Sequence, residues 1–256
     1  MAAPLIIGLS GASSSGKTTV ANALGTIFPD SSIIHEDDFY LPDNQIPYNE
    51  EIHEYDWDCP GAINFENLTE VVKKLKLDET FDRQKYMHLE TTNISNQIDK
   101  HFCVSPDIHN KLRTLAQETF FDRKVYLIDG FLMFGSKQLV DLMDIKLFFR
   151  TDYETLKRRR QARKYNVDAG VWTDPPGYFT KCVWPQYYHY HKGIFCDGDD
   201  EHKVRSTGGA LNDYAKSVLH IDDFINNDDT DFDTLVSDVF RTVIEHVKDS
   251  EVRIQK

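Results

Sequence analysis

The sequence predicts an α/β fold, a central parallel sheet flanked by helices. Three observations carry this prediction. Short runs of β-branched and aromatic residues recur along the chain with amphipathic helical patterns between them. The runs are continuous rather than alternating, as strands covered on both faces require. The first run passes through a glycine- and serine-rich stretch directly into a helical pattern.

Taken in order, Leu5-Ile6-Ile7-Gly8-Leu9 is the first strand, and a helix begins near Lys17. Ser32-Ile33-Ile34-His35 is the second strand, followed by a helical pattern near Asn64 to Leu75. Tyr126-Leu127-Ile128-Asp129-Gly130 and Ile145-Lys146-Leu147-Phe148-Phe149 are the next strands, with a helix from Tyr153 to Lys164 after them. Ser217-Val218-Leu219-His220-Ile221 is the last apolar run, and Phe232 to Val247 is the last helix. Two segments fit poorly. Residues 76–118 are polar and irregular, and read as an excursion that elaborates the sheet. Residues 196–215 hold Asp197-Gly198-Asp199-Asp200-Glu201 and Ser206-Thr207-Gly208-Gly209, and read as a flexible loop with little to bury.

At 256 residues and 40% hydrophobic content, the chain suits a single domain, 1–256, with one sizeable core. A net charge of −13 opposes polyanions, so nucleic acid is not an expected partner. No apolar stretch reaches the roughly 20 residues of a membrane span, and Met1-Ala2-Ala3-Pro4 lacks the basic start of a signal peptide. The four cysteines show no metal or disulfide spacing. A cytoplasmic location follows as the expectation, with nuclear access left open, and a monomer or weak homo-oligomer.

Gly11-Ala12-Ser13-Ser14-Ser15-Gly16-Lys17-Thr18 matches G-x-x-x-x-G-K-[ST] between a strand and a helix. Glycines there let backbone N–H groups curl around a phosphate, and the helix N-terminus adds its positive dipole end. Lys17 then reaches the β and γ oxygens of ATP, and Thr18 offers a hydroxyl to Mg²⁺. Thr19 completes the predicted ATP-binding stretch. Asp58-Cys59-Pro60-Gly61 has the D-x-x-G spacing of a GTPase switch, but no N-K-x-D guanine reader accompanies it.

A kinase needs a base near the accepting hydroxyl, and Asp37 or Asp38, at the end of the second strand, supplies one or holds Mg²⁺ through water. Turn-capping is the alternative role for both. Asp129 ends an apolar strand, the expected place for a carboxylate that orients the Mg²⁺ shell. Lys157-Arg158-Arg159-Arg160-Gln161-Ala162-Arg163-Lys164 is a local basic patch in which Arg159 and Arg163 share a helical face. Such a face can converge on transferring phosphates, and the turn-rich residues 166–178 can hinge it as a mobile lid, about 159–185.

These motifs, with Ile34-His35-Glu36-Asp37-Asp38-Phe39-Tyr40, Trp57-Asp58, Ile128-Asp129-Gly130-Phe131, Pro176-Gly177-Tyr178-Phe179 and Val183-Trp184-Pro185, resemble the nicotinamide riboside kinases of the uridine kinase-like P-loop nucleoside kinases. The long inserts resemble those of fungal members. The resemblance implies ATP- and Mg²⁺-dependent phosphorylation of the 5′-hydroxyl of nicotinamide riboside, and of nicotinic acid riboside, in NAD synthesis. It implies Asp37 as proton acceptor and part of the Mg²⁺ environment, with Lys17 and Arg159 as further catalytic groups. Asp58 and Arg160 would hold the ribose, and Trp57 and Tyr165 would sandwich the base. Asp38, Tyr40 and Asn166 would complete the nucleoside site. Lys17, Arg159, Arg163 and Tyr165 would serve ATP. Tyr55-Asp56 offers a second aromatic-acid pair beside Trp57-Asp58, and the second is preferred because Asp58-Cys59-Pro60-Gly61-Ala62-Ile63-Asn64 continues the family pattern. The rivals are a uridine or cytidine kinase and, from another class, an ATP-binding regulatory switch.

Overall fold

A computed structural model describes residues 2–87, 103–167 and 170–254, with backbone only at 83, 165–167, 170–172, 251 and 253–254. The chain opens with β1 (Leu5–Gly11), α1 (Lys17–Ile27) and β2 (Ser31–His35), then a small hairpin, β3 (Tyr48–Asn49) and β4 (Glu54–Tyr55). Helices α2 (Phe65–Lys76), α3 (Arg83–Tyr86) and α4 (Pro106–Thr119) precede β5 (Val125–Gly130). There follow α5 (Lys137–Leu142), β6 (Ile145–Arg150), α6 (Tyr153–Ala162) and a second hairpin, β7 (Tyr165–Val167) and β8 (Gly170–Trp172). The chain closes with α7 (Trp184–His191), α8 (Glu201–Thr207), β9 (Ile221–Ile225) and α9 (Phe232–Ile254).

The predicted parallel sheet is present, with five strands in the order β2-β5-β1-β6-β9, all parallel. Because side chains alternate across a strand, Leu5, Ile7 and Leu9 of β1 and Ile145, Leu147 and Phe149 of β6 face the layer of α1, α4 and α9, while Ile6 and Phe148 face the opposite layer. Gly8 lies on that opposite face, where a Cβ would fall 2.1 Å from the sulfur of Met143. Central β1 is buried along its whole length, as a continuous apolar run requires. Its C-terminal end, where the chain departs to either side, is the usual ligand position in such sheets.

Helices α2 and α6 start where a side chain satisfies a first-turn N–H group. Asn64 accepts from the Asn67 amide at 3.0 Å to cap α2, and Asp152 accepts from the Thr155 amide at 2.9 Å to cap α6. Helix α1 differs. It begins after Gly16, at φ 90°, with no side-chain cap and no acidic residue in its first turn.

Four expectations change. The last strand is Ile221–Ile225, not 217–221, and Tyr214–Val218 forms a wide helical turn. Its charges hid it: Asp223 pairs with Arg150 at 2.6 Å and Asp222 with His246 at 2.6 Å, so an edge strand carries adjacent aspartates without penalty. Residues 196–215 are packed rather than loose. They hold α8, Phe195 bridges Leu211, Val204, Leu211 and Ala215 are buried, and Trp184 donates to Glu201 at 2.9 Å. A few apolar residues suffice there because aromatic α7 brings the core to them. Within 76–118, α4 buries Leu112 and Ala116 against the α1 and α9 layer and adds no strand, while 88–102 lie outside the described residues. Finally, α6 ends at Ala162 and Arg163 turns extended (φ −74°, ψ 146°), so Arg159 and Arg163 do not share a helical face.

Candidate active site

The phosphate loop connects β1 to α1 through three left-handed or near-left-handed residues, Gly11 (φ 142°), Ser14 (φ 69°) and Gly16 (φ 90°). A Cβ at Gly11 would lie 2.0 Å from the Phe149 carbonyl oxygen, so only glycine lets the loop leave β1 against β6. The turn is closed by the Ser15 amide donating to the Ala12 carbonyl at 3.0 Å. The hydroxyls of Ser14 and Ser15 are buried with no protein partner, and Lys17 is 7% exposed at the head of α1. A loop with unspent hydroxyls, an uncapped helix start and one buried ammonium is suited to a polyphosphate.

Strand register brings the carboxylates to the same edge. His35 of β2 lies opposite Asp129 of β5, and its Nδ1 sits 3.1 Å from an Asp129 carboxylate oxygen. Burial alone pushes Asp129 up, but the hydrogen bond from His35 and the charge of Lys17 outweigh it and hold the carboxyl below its ordinary range. Burial pulls His35 down, and the hydrogen bond and charge of Asp129 more than reverse it, so the imidazole is held above its usual value. The other Asp129 oxygen is buried without a protein partner.

Asp37 stands in the short turn Glu36–Phe39 that leaves β2. Burial raises its carboxyl above the ordinary range, with Lys17 and Arg163 pulling the other way and Asp129 adding to the rise. Lys17, Asp129, Arg163 and Asp37 are therefore electrostatic neighbours, although α6 has ended before Arg163. Asp38 is buried in the same turn.

Glu36 received no role from the sequence, and the structure shows what it does. Fully buried, it accepts from the amides of Phe131 and Leu132 at 2.5 and 3.1 Å, tying the turn after β2 to the loop after β5. Burial pushes its carboxyl up to about 8, against the two amide hydrogen bonds that favour its charged form.

Arg160 is the hub of the second half of the site. Its Nε and Nη2 donate to Asp174 at 2.8 and 3.3 Å, its Nη1 and Nη2 donate to Asp58 at 3.1 and 3.0 Å, and its Nη1 also donates to Ser13 Oγ at 2.7 Å. One guanidinium thus joins the phosphate loop, the Asp58 loop and residue 174. Burial raises the Asp58 carboxyl, and Arg160 only partly offsets the rise. Asp174 was read from sequence only as part of a hinge; an aspartate before two prolines carries no signal that it will meet an arginine fourteen residues upstream.

Beside Asp58, the rings of Trp57 and Tyr40 meet edge to face at 5.6 Å, and Trp57 is half-buried. The Trp57 amide donates to the hydroxyl of buried Tyr178 at 2.9 Å. The other pair is its immediate neighbour: Tyr55 is exposed against Tyr48, and Asp56 accepts from Gln186 at 2.9 Å and from the Asp58 amide at 3.1 Å. Arg159 turns away from Arg160, donating to the Asn226 carbonyl at 2.9 Å and to Asp228 at 3.1 Å in the loop after β9. Thr18 and Thr19 are partly exposed in the first turn of α1. Tyr165 and Asn166 begin β7, but their side chains lie outside the described residues.

The geometry therefore joins a phosphate cradle, a cluster of carboxylates at its mouth and a carboxylate-arginine pair beside an aromatic surface. The sequence is similar to known proteins. The model of the phosphoribulokinase / uridine kinase family matches residues 6–169. The nicotinamide riboside kinase of Schizosaccharomyces pombe is 38% identical over 196 residues, 76% of this chain and 82% of that protein. That of Saccharomyces cerevisiae is 32% identical over 247 residues, 96% of this chain and 98% of that protein. Nicotinamide riboside kinase 2 of Mus musculus is 32% identical over 195 residues, covering 76% and 83%. The chain belongs to the phosphoribulokinase/uridine kinase family and, within it, to the nicotinamide riboside kinases.

Proposed function

We propose that this chain transfers the γ-phosphoryl group of ATP to the 5′-hydroxyl of nicotinamide riboside, making the mononucleotide for NAD synthesis, and that it accepts nicotinic acid riboside as well. The observation that carries this reading is the Arg160 clamp, which sets Asp58 and the neighbouring Trp57 face a single guanidinium away from the phosphate loop. A pyrimidine nucleoside would need hydrogen-bonding readers on its base, whereas a cationic pyridinium needs an electron-rich aromatic face. The relatives named for nicotinamide riboside support the second substrate.

Neighbouring groups in the structure support the following roles. The cradle and Lys17 hold the β and γ phosphates. Asp37, whose carboxyl is raised by burial, is the group positioned to take the proton of the accepting hydroxyl. Asp58 accepts hydrogen bonds from the ribose hydroxyls while Arg160 orients it. Arg163, with a charge that reaches Asp37, neutralises charge developing during transfer. The residues fit Mg²⁺, because a partnerless buried Asp129 oxygen, the Thr18 hydroxyl and Asp37 form an all-oxygen set of the kind that this ion uses together with phosphate and water. When bound, Mg²⁺ would supply positive charge that offsets that of the phosphates. Arg159, parked on Asn226 and Asp228, would serve the ATP side rather than the nucleoside. Residues 159–185 act as the lid, with Arg160, which Asp174 holds within it, joining it to Ser13 and Asp58. Among the described residues no helix is long and apolar enough to cross a membrane, and a cytoplasmic monomer or weak homo-oligomer is part of this reading.

The test is product formation by mass, with nicotinamide riboside and uridine side by side in the presence of ATP and Mg²⁺. The nicotinamide mononucleotide should dominate, and exclusive phosphorylation of uridine would overturn the base-site assignment. Asp37→Asn should keep ATP binding and lose about 100-fold or more in kcat; near-normal turnover would remove Asp37 as the base.

A further inference from the structure

Asn226 sits one residue past β9, far from the phosphate loop in sequence. Its amide N–H donates to the Arg150 carbonyl at 3.0 Å, extending the β6–β9 ladder, so its backbone is fixed. Its side-chain Nδ2 then donates to the Ser15 carbonyl at 2.8 Å. A carbonyl only accepts, so the amide's orientation is set by this contact. The approach is close enough that a Cβ on Gly16 would lie 2.2 Å from Nδ2, a second reason for glycine at a residue with φ 90°. In a trans peptide the C=O and the following N–H point to opposite sides. Holding the Ser15 carbonyl on Asn226 therefore turns the Gly16 N–H away from Asn226.

We propose that Asn226 is a positioning residue for phosphoryl transfer: its side-chain amide clamps the Ser15–Gly16 peptide so that the Gly16 N–H faces the phosphates of the nucleotide. The proposal rests on reading Gly11–Thr18 as the ATP-phosphate site. The backbone carbonyl of the same residue holds Arg159 at 2.9 Å, and that contact survives a change of side chain.

Asn226→Asp removes the donor at constant size but also adds a negative charge near the phosphates, so the neutral Asn226→Ser carries the decision. The full chain is titrated with the β,γ-imido analogue of ATP in Mg²⁺ by calorimetry, and KM is measured for both substrates. Asn226→Asp should weaken the analogue about tenfold or more and raise the ATP KM in parallel, with the nicotinamide riboside KM changing less than about twofold. Asn226→Ser, neutral and too short to reach, should weaken the analogue about three- to tenfold. Analogue affinity within about twofold of wild type in folded Asn226→Ser, or an equal rise in both KM values, would overturn the clamp. A wild-type chain that fails to bind the analogue at all would instead overturn the phosphate-site reading.

Discussion

Replacing Arg160 by methionine tests the centre of the site. The guanidinium is 10% exposed, and the carboxylates on either side of it, Asp58 and Asp174, are 3% and 5% exposed. Methionine keeps much of the side-chain volume and removes the charge, leaving two buried carboxylates facing one space. Removing one partner of a buried ion pair costs about 3–5 kcal/mol. For a chain of this size each kcal/mol moves the melting temperature by roughly 2–4 °C, so the loss should be about 6–20 °C at pH 8. The pH dependence separates this cause from lost packing. Burial already raises the Asp58 carboxyl and Arg160 offsets part of that rise, so without Arg160 its folded-state pKa climbs further above the unfolded value of about 3.9 and the folded variant binds more protons than its unfolded chain. Its deficit against wild type therefore widens as pH rises from about 4 to 8 and narrows on acidification. Adding Asp58→Asn and Asp174→Asn to the methionine variant should recover much of the loss. Thermal melts followed by circular dichroism at pH 5 and pH 8 read both effects. A single variant that melts within about 2 °C of wild type at pH 8, or a deficit that ignores pH, would refute the buried cluster.

Gly130→Ala should destabilise by about 1–3 kcal/mol in urea, because the new Cβ would meet Glu36 Oε2 at 2.3 Å and Glu36 Cβ at 2.7 Å; an unchanged urea midpoint would mean that Glu36 does not pack there. Trp57→Ala should raise the KM for nicotinamide riboside about tenfold and that for ATP less than about twofold, and an equal rise in both would make Trp57 structural. His191→Phe addresses a buried imidazole whose Nδ1 lies 3.0 Å from the Tyr187 carbonyl, whose Nε2 has no partner, and whose pKa burial lowers from 6.5 to about 4. As pH falls from 6.5 towards 4 the unfolded chain takes up this proton and the folded chain does not, a loss on the order of 3 kcal/mol by the lower limit. Phenylalanine, placed among Phe148, Tyr187 and Phe195, should flatten that slope; an acid limb identical to wild type would show that another group causes it.

Local chemistry made much of this protein legible in its residue order. Apolar runs long enough to be covered on both faces named four of the five strands to within a residue or two, and the glycine spacing around Lys17 named the phosphate loop, since both signals depend on neighbours along the chain. Carboxylates at or just past strand ends put Asp37 and Asp129 at one sheet edge for the same reason. What lay beyond the sequence was pairing across distance. Charged β9 carries aspartates that find their partners in Arg150 and His246, far away in the sequence. The polar stretch around α8 became ordered only because α7 supplies its core. The arginine patch divided its labour only in three dimensions, where α6 stops at Ala162, Arg160 turns inward to Asp58, Asp174 and Ser13, and Arg159 turns out to Asn226 and Asp228. Periodicity says which residues share a face, but which opposite charge waits beside that face is decided by segments many residues away, and only the assembled sheet edge brings them within hydrogen-bond reach.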